Sequence, residues 1–578
     1  MAELGRTVLA RQRMARLWSL GDRSSPSSYT PGLILAEGEE MDVNWAPFHT
    51  SGDNTIPREI SLVSRAAFAP WVTNENGPEL KASVGHVLPP SLEEADAGEV
   101  ASKGELLPLS WQALNHDGDL MNGALNPHVV LLTDALQLAN RPGKLVEAIN
   151  VIKLRFPGAL LWCPGIGGPD NCAVYSWFGV DLFDNIRVKQ AESCGAVLTM
   201  NGPRIKRKDE PDVDHWALAI AETRTAINEG KLRELAQSQS LNSPRLVEHL
   251  RNHDNLMSSQ RGILSQIVPE KQKLRVHSSD AHNDPIIVDW IEYITEEYTK
   301  PEGLDNVLVL LPCSARKPYS SSRTHRAFRR AMNHNSVHEI IVTSPLGLVP
   351  RELEGCWPAG NYDIPVTGDW TEDETSRIKN MLGVLLGRND YRIIINHSGF
   401  TFETEIPVIE TIKDGRSTSN ESLESLSQAI KENVRVKRRS GERINLDNFK
   451  SIANMHHNNS DWLEGCTVRG RFPRWKIMKD STQIAMWSPE RGGFSLSKAC
   501  IPILDANDCL KRISLKPDAE WKGDINLTNL ESYDGSIRSG EDLLVMQANV
   551  VVGLARAAAP SWEWLNTPGR LAKMHHKV

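Results

Sequence analysis

"VLVLLPCSARKPYSSSRTHRAFRRAMNHN", Val307 to Asn335, opens with five aliphatic residues in a row and then turns polar. A run without polar alternation marks a strand buried on both faces, the environment of a parallel sheet covered by helices. Ser322 stands where a helix N-cap is needed, ahead of a helical stretch that runs from His325 to Asn335. Two further segments share this grammar: "EIIVTSP" (339–345) and "YRIIINHSG" (391–399) are β-branched strands that end in polar residues, and a helical stretch, Glu372 to Leu386, lies between them. Residues 283–412 are therefore expected to form a three-layer α/β domain. In open parallel sheets ligands gather beyond the carboxyl ends of the strands, where Cys313, Ser344 and His397 all fall.

The preceding block, 1–270, has its own β-α units. "VVLLTDA" (129–135) is a buried-strand run, and Pro142 to Phe156 spaces Leu145, Ile149, Ile152 and Phe156 for a helix. "ALLWC", "GVDLFD" and "AVLTM" follow as strands alternating with helices, which favours a β/α barrel. After the central domain, 413–433 reads as a polar linker running into a short helix. From 434 onward short strands and turns predict small β-rich modules, a small α+β RNA-binding or linker domain at 434–505 and a β-barrel at 506–578.

The chain has 578 residues, a length that implies three or four domains. Mean hydropathy is −0.36, with no apolar run long enough to span a bilayer. The first residues, "MAELGRTVLARQRMARLW", hold no apolar segment with a cleavage site, so a cytoplasmic address without a membrane partner is expected. The eight cysteines show no C-x-x-C spacing and read as reduced thiols. A net charge of −8 excludes a uniformly basic nucleic-acid binder, yet Val434 to Lys479 carries eleven Lys/Arg against four Asp/Glu, so polyanion contact should be local.

The loop Pro312 to His325 holds the parts needed for covalent or acid-base chemistry. Cys313 is a nucleophile once ionised, and Arg316, Lys317 or His325 would lower its pKa. The free N–H groups of the following helix would bind an anion or polarised group. Pro312, Cys313, Lys317, Pro318, Tyr319, Ser322 and His325 spell P-C-x-x-x-K-P-Y-x-x-S-x-x-H, which resembles the signature of the archaeosine synthases, relatives of the tRNA-guanine transglycosylases; the resemblance continues in "VTSPLGLVPRELEG" and "NYDIPVTGDW". It implies addition of free L-lysine to the nitrile of 7-cyano-7-deazaguanine in the D-loop of tRNA. The amidine adduct would then pass to a radical-SAM partner; a homodimer is compatible with this scheme. Cys313 would form a thioimidate or, with direct attack by the amine, only shape the pocket; Tyr319 or His325 would act as acid and base, and Lys317 would hold phosphate or stabilise charge. Ser322 belongs to the same catalytic set, with Ser344, Asp363, Asp369 and His397 as substrate contacts and Glu374 as a further carboxylate.

"PGIGGPDNCAVYSWFGVDLFDNIRVKQAESCG" (164–195) resembles a transglycosylase segment and puts Asp184 at that family's nucleophilic aspartate. The family's P-T-R triplet is replaced by Val188-Lys189-Gln190, the D-S-G-G-F-Q segment is absent, and so is the C-x-C-x-x-C zinc pattern. The barrel is thus expected to be degenerate, with Asp184 a relic or a substrate contact, and no cofactor is expected. Base insertion by a transglycosylase and a non-catalytic tRNA-binding role are the alternatives. "GSIRSGEDLLVMQANVVVGLARA" (535–557) resembles a PUA module, which implies RNA contacts at Arg538, Arg556, Arg570 and Lys573, joined by Arg469, Arg471, Arg474 and Lys476 upstream, with Phe472 and Trp475 available for base stacking.

Overall fold

The computed structural model describes residues 4–22, 24–51, 59–64, 79–83, 106–116, 125–260, 273–366 and 368–578. These form two compact units. The first is Met1–Ser259 with Asn526–Thr528 and Ser561–Leu571; the second is Gln260–Ile525 with Asn529–Pro560 and Ala572–Val578. The expected boundary at 270 falls outside the described residues.

The first unit is built on an eight-stranded sheet, ordered Glu79–Ser83, Glu59–Ser64, Phe48–Ser51, Gly32–Leu35, Leu182–Phe183, Leu160–Trp162, Val129–Leu132, Leu106–Leu109. The six strands from Phe48–Ser51 to Leu106–Leu109 are parallel, as the alternating pattern predicts. The other two run antiparallel, and among the described residues no ladder closes the sheet into the expected barrel. Residues 52–58 are too few for a crossover, which takes a dozen or more residues, so Glu59–Ser64 has to return as a hairpin partner. "AVLTM" likewise leaves the large sheet. Only two residues separate Ala196–Thr199 from its antiparallel partner Gly202–Ile205. Helix Lys144–Arg155 buries Leu145, Ile149 and Ile152, the face its periodicity predicts.

The second unit carries a five-stranded sheet ordered Gly347–Pro350, His338–Thr343, Val307–Pro312, Ile393–Asn396, Val408–Glu410, parallel except for Gly347–Pro350. Its central strand alternates between two cores. Val307, Val309 and Leu311 pack with Phe328, Met332, Leu426 and Ile430. Leu308 and Leu310 belong with Trp290, Ile378, Met381 and Leu385 on the other side. Three layers result, as expected. The short helix expected at the end of the 413–433 linker shares one of them with helix Arg323–Met332: helix Asn420–Asn433 buries Leu426, Ala429 and Ile430. Burying each large aliphatic side chain is worth roughly 1.5–3 kcal/mol, enough for this narrow stripe to hold an otherwise polar helix on the sheet.

Beyond it, helix Gly441–His457 precedes a four-stranded antiparallel sheet, Thr467–Arg471, Arg474–Lys479, Thr482–Ser488 and Gly493–Leu496. A five-stranded mixed sheet follows, from Arg512–Leu515 to Ala572–Lys577. Among the described residues no helix is long and apolar enough to cross a membrane.

Candidate active site

Three parallel strands of the second unit end on one edge, at Pro312, Thr343 and Asn396. Cys313, directly after the first, is a half-buried free thiol. Tyr319 is 0% exposed, and its hydroxyl meets the Tyr362 hydroxyl at 2.5 Å and Thr343 Oγ1 at 3.3 Å; Thr343 and Tyr362 are 2.8 Å apart. Lys317 Nζ sits 4.1 Å from the centre of the Tyr362 ring, a cation–π contact, with no carboxylate at ion-pair distance among the described residues. Burial pushes the Cys313 thiol up, and the Thr343 hydroxyl and Lys317 only partly offset it. This reverses the expected lowering, because a half-buried thiolate loses more hydration than one ammonium returns. Burial also lowers Lys317, against the pull of Cys313 and Asp363. Burial thus narrows the gap in acidity between the thiol and the ammonium.

His325 does something else. Ser322 caps the helix Arg323–Met332, its hydroxyl accepting from the His325 N–H at 3.1 Å, as predicted. This places the imidazole inward, 2% exposed, with Nδ1 2.9 Å from Arg351 Nη2. A guanidinium only donates, so Nδ1 accepts and the ring proton resides on Nε2. Burial first, and then the Arg351 charge, push this imidazole down to about 3. At neutral pH its only basic nitrogen is already occupied, so the expected acid-base role does not fit; His325 fixes the turn. Arg351 also pairs with Glu339 and Glu354, each at 2.8 Å, and Glu354 accepts from the Ser320 N–H at 3.0 Å. Thr343, Tyr362 and Arg351 were all quoted in the sequence motifs, but no spacing rule reveals their partners.

The remaining candidates divide. The Ser344 hydroxyl donates to Glu374, whose carboxylate also closes a capping box with Thr371. Asp363 pairs with Lys273 at 3.0 Å, and that hydrogen bond holds it below the usual carboxylate range. Asp369 is exposed ahead of helix Glu372–Gly387. His397 is fully buried, with Nδ1 2.7 Å from Thr411 Oγ1 and Nε2 2.8 Å from the Ser417 carbonyl. Both nitrogens are committed to holding the 411–417 segment, so it is not a free substrate contact.

In the first unit, buried Asp184 accepts from the Gly165 N–H at 2.9 Å, the Ile186 N–H at 3.1 Å and Trp162 Nε1 at 3.2 Å. Of the basic residues, Arg469, Arg471, Arg474 and Lys476 are exposed on one hairpin. Lys573 and Arg570 are exposed as well. Arg538 lies 3.8 Å from Glu541. Arg556 is buried in a 2.9 Å pair with Asp542, which removes it from the expected RNA contacts. Trp475 is partly buried and packs edge-on to Phe449 of the core and to Phe472, which is 68% exposed.

A family model described as a domain of unknown function (DUF5591) matches residues 287–430, a span that ends within helix Asn420–Asn433. Among curated proteins, an archaeosine synthase subunit alpha of Thermoplasma acidophilum is 27% identical over 75% of this chain and 84% of its own length. An archaeosine synthase of Haloferax volcanii is 27% identical over 85% of this chain and 90% of its own length. A tRNA-guanine(15) transglycosylase of Methanothermobacter thermautotrophicus is 27% identical over 27% of this chain and 23% of its own length. The motif loop and these matches agree: over most of its length the chain is similar to the archaeosine synthases.

Proposed function

We propose that the chain is a tRNA-modifying transferase of the archaeosine-synthase type. It adds the ε-amine of free lysine to the nitrile carbon of 7-cyano-7-deazaguanine in tRNA, and the amidine product passes to a radical-SAM partner. One observation carries this reading: of the titratable side chains in the P-C-x-x-x-K-P-Y-x-x-S-x-x-H motif, Cys313 and Lys317 alone are half-open, while Tyr319 and His325 are buried and bonded. A nitrile needs a nucleophile at carbon and a proton at nitrogen, and a thiol beside an amine supplies both. The Cys313 sulfur bonds to the nitrile carbon as its proton moves through Lys317 to the nitrile nitrogen, giving a thioimidate. The lysine amine then attacks that carbon and gives a proton to Lys317; the carbon–sulfur bond breaks, and the departing thiolate takes the proton back. Nitrile plus amine becomes amidine with the enzyme unchanged. Asp363 and Asp369 are the carboxylates assigned to the amino acid's ammonium, and the sheet from Arg512 to Lys577 is assigned as the PUA-type module.

The test is incubation of purified protein with nitrile-bearing tRNA and radiolabelled lysine. Label in the RNA is expected, with a protein–RNA covalent species trapped on acid quench. If no label enters RNA, the transferase reading fails; if label enters without any trapped species and Cys313→Ala keeps substantial turnover, the thioimidate fails and direct amine attack replaces it.

A further inference from the structure

The hairpin Thr467–Arg471/Arg474–Lys479 is basic on one face and apolar on the other. Residues 467–479 include five Lys/Arg and no Asp/Glu. Register pairs Arg469 with Lys476 and Arg471 with Arg474, while Val468 pairs with Ile477 and Gly470 with Trp475. Side chains alternate along a strand, so Val468, Ile477 and Trp475 turn to the core and the four cations share the outer face. Like charges directly opposite each other destabilise a sheet, and here two such pairs stand side by side. No carboxylate lies within ion-pair distance of the four among the described residues. Gly470, at φ +101°, holds the close approach near the tip: a Cβ there would meet the Arg474 carbonyl oxygen at 2.6 Å.

Spacing of ~7 Å along each strand and ~5 Å across makes a two-by-two grid of cations, and three of the four are guanidiniums whose forks match phosphate oxygens. Phe472, 68% exposed at the tip and held edge-to-face with Trp475 at 5.4 Å, adds a flat apolar surface beyond the grid on which an unpaired base can stack. We infer that the outer face of this hairpin is a docking surface for the sugar-phosphate backbone of a folded RNA, Phe472 stacking on one base. It rests on the proposed function only for the identity of that RNA as tRNA. Regular charge without carboxylate partners fits a repeating polyanion better than an acidic protein, whose carboxylates are irregularly placed.

The experiment measures binding of the full chain to an unmodified tRNA transcript across a salt series, with neither nitrile nor lysine present, so its outcome is separate from that of lysine transfer. Replacing all four cations (R469Q, R471Q, R474Q, K476Q) should lower the slope of log K against log salt by about 3 and weaken binding at least about 100-fold at low salt. The tip pair alone (R471Q, R474Q) should lower the slope by about 1.5. Because like-charge repulsion is relieved, neither variant should melt below the wild type, and both should keep wild-type alkylation of Cys313. Phe472→Ala should weaken binding roughly 5- to 100-fold with the slope unchanged. The control K431Q, an exposed lysine on helix Asn420–Asn433, should change nothing. An unchanged slope in the tip-pair variant overturns the inference, as would tighter hairpin-dependent binding to phosphatidylserine/phosphatidylcholine vesicles than to tRNA.

Discussion

Two turns in this molecule occupy equivalent places, and only one is left chemically open. Each follows a strand in a parallel sheet: the turn after Leu160–Trp162, answered by Asp184, and the turn after Val307–Pro312, which carries Cys313 and Lys317. In the first, the carboxylate takes three N–H donors from its own chain and Cys163 is fully buried. In the second, the tyrosine, serine and histidine of the motif are bonded inward, and the thiol and amine are left half-open at the sheet edge. A strand end becomes a site when its reactive groups are held in place by others and not themselves saturated. The largest expected effect tests this contrast directly. Cys313→Ala should lower incorporation of labelled lysine into nitrile-bearing tRNA by about 1000-fold or more, since covalent catalysis has no substitute there. Asp184→Ala should leave the rate within about threefold. Equal losses would erase the distinction.

His325 sharpens the contrast through pH. Its folded pKa is about 3, depressed by burial and by Arg351, against an ordinary value near 6.5 unfolded. As pH falls, the unfolded chain takes the proton first, so stability present above pH 6.5 is lost on the way down to about 3. By pH 4 the loss is about 3 kcal/mol. His325→Gln can still accept from Arg351, and should lose that much less stability than wild type between pH 7 and pH 4 in urea melts, while keeping turnover within about tenfold. Parallel stability curves would mean the imidazole is not held neutral. Lys317→Met comes next: a fall of about 100-fold in turnover, accompanied by slower alkylation of Cys313 at pH 8, because the proton acceptor beside the thiol is gone. A slow enzyme with wild-type thiol reactivity would leave Lys317 a binding group only.

Much of this was legible in the residues, and the failures have physical causes. Strands such as VLVLLP declare themselves because burial on both faces leaves no room for polar residues. The N-cap at Ser322 was readable because capping is local. The helix Asn420–Asn433 was legible as the short helix ending the polar segment, but its place against the central sheet was not, because a stripe of Leu426, Ala429 and Ile430 does not declare its partner. Roles for His325 and His397 misled for a related reason: an imidazole's chemistry is set by what its two nitrogens meet, here Arg351 and the Thr411–Ser417 segment, distant in sequence. Cys313 and Lys317 were found because the motif is dense, but the direction of the thiol's shift depended on burial that no motif encodes.

Asp184→Asn is the smallest effect and probes the saturated turn from within. The carboxylate accepts from Gly165 and Trp162 through Oδ2 and from Ile186 through Oδ1. An asparagine can offer an oxygen to only one of these sides; its amide nitrogen must face the donors on the other, leaving at least one buried N–H without an acceptor. The cost should be about 1–2 kcal/mol, below the full penalty because burial already raises the Asp184 carboxyl above its usual value and the neutral amide escapes that desolvation. Since this penalty on the charged form grows as pH rises through the raised pKa, the stability difference between the Asp184→Asn variant and wild type should be smaller at pH 8 than at pH 4. Urea melts at the two pH values check the sign. If Asp184→Asn instead left stability untouched and cut lysine transfer, the carboxylate would be reaching a substrate, and the two strand ends would both be functional.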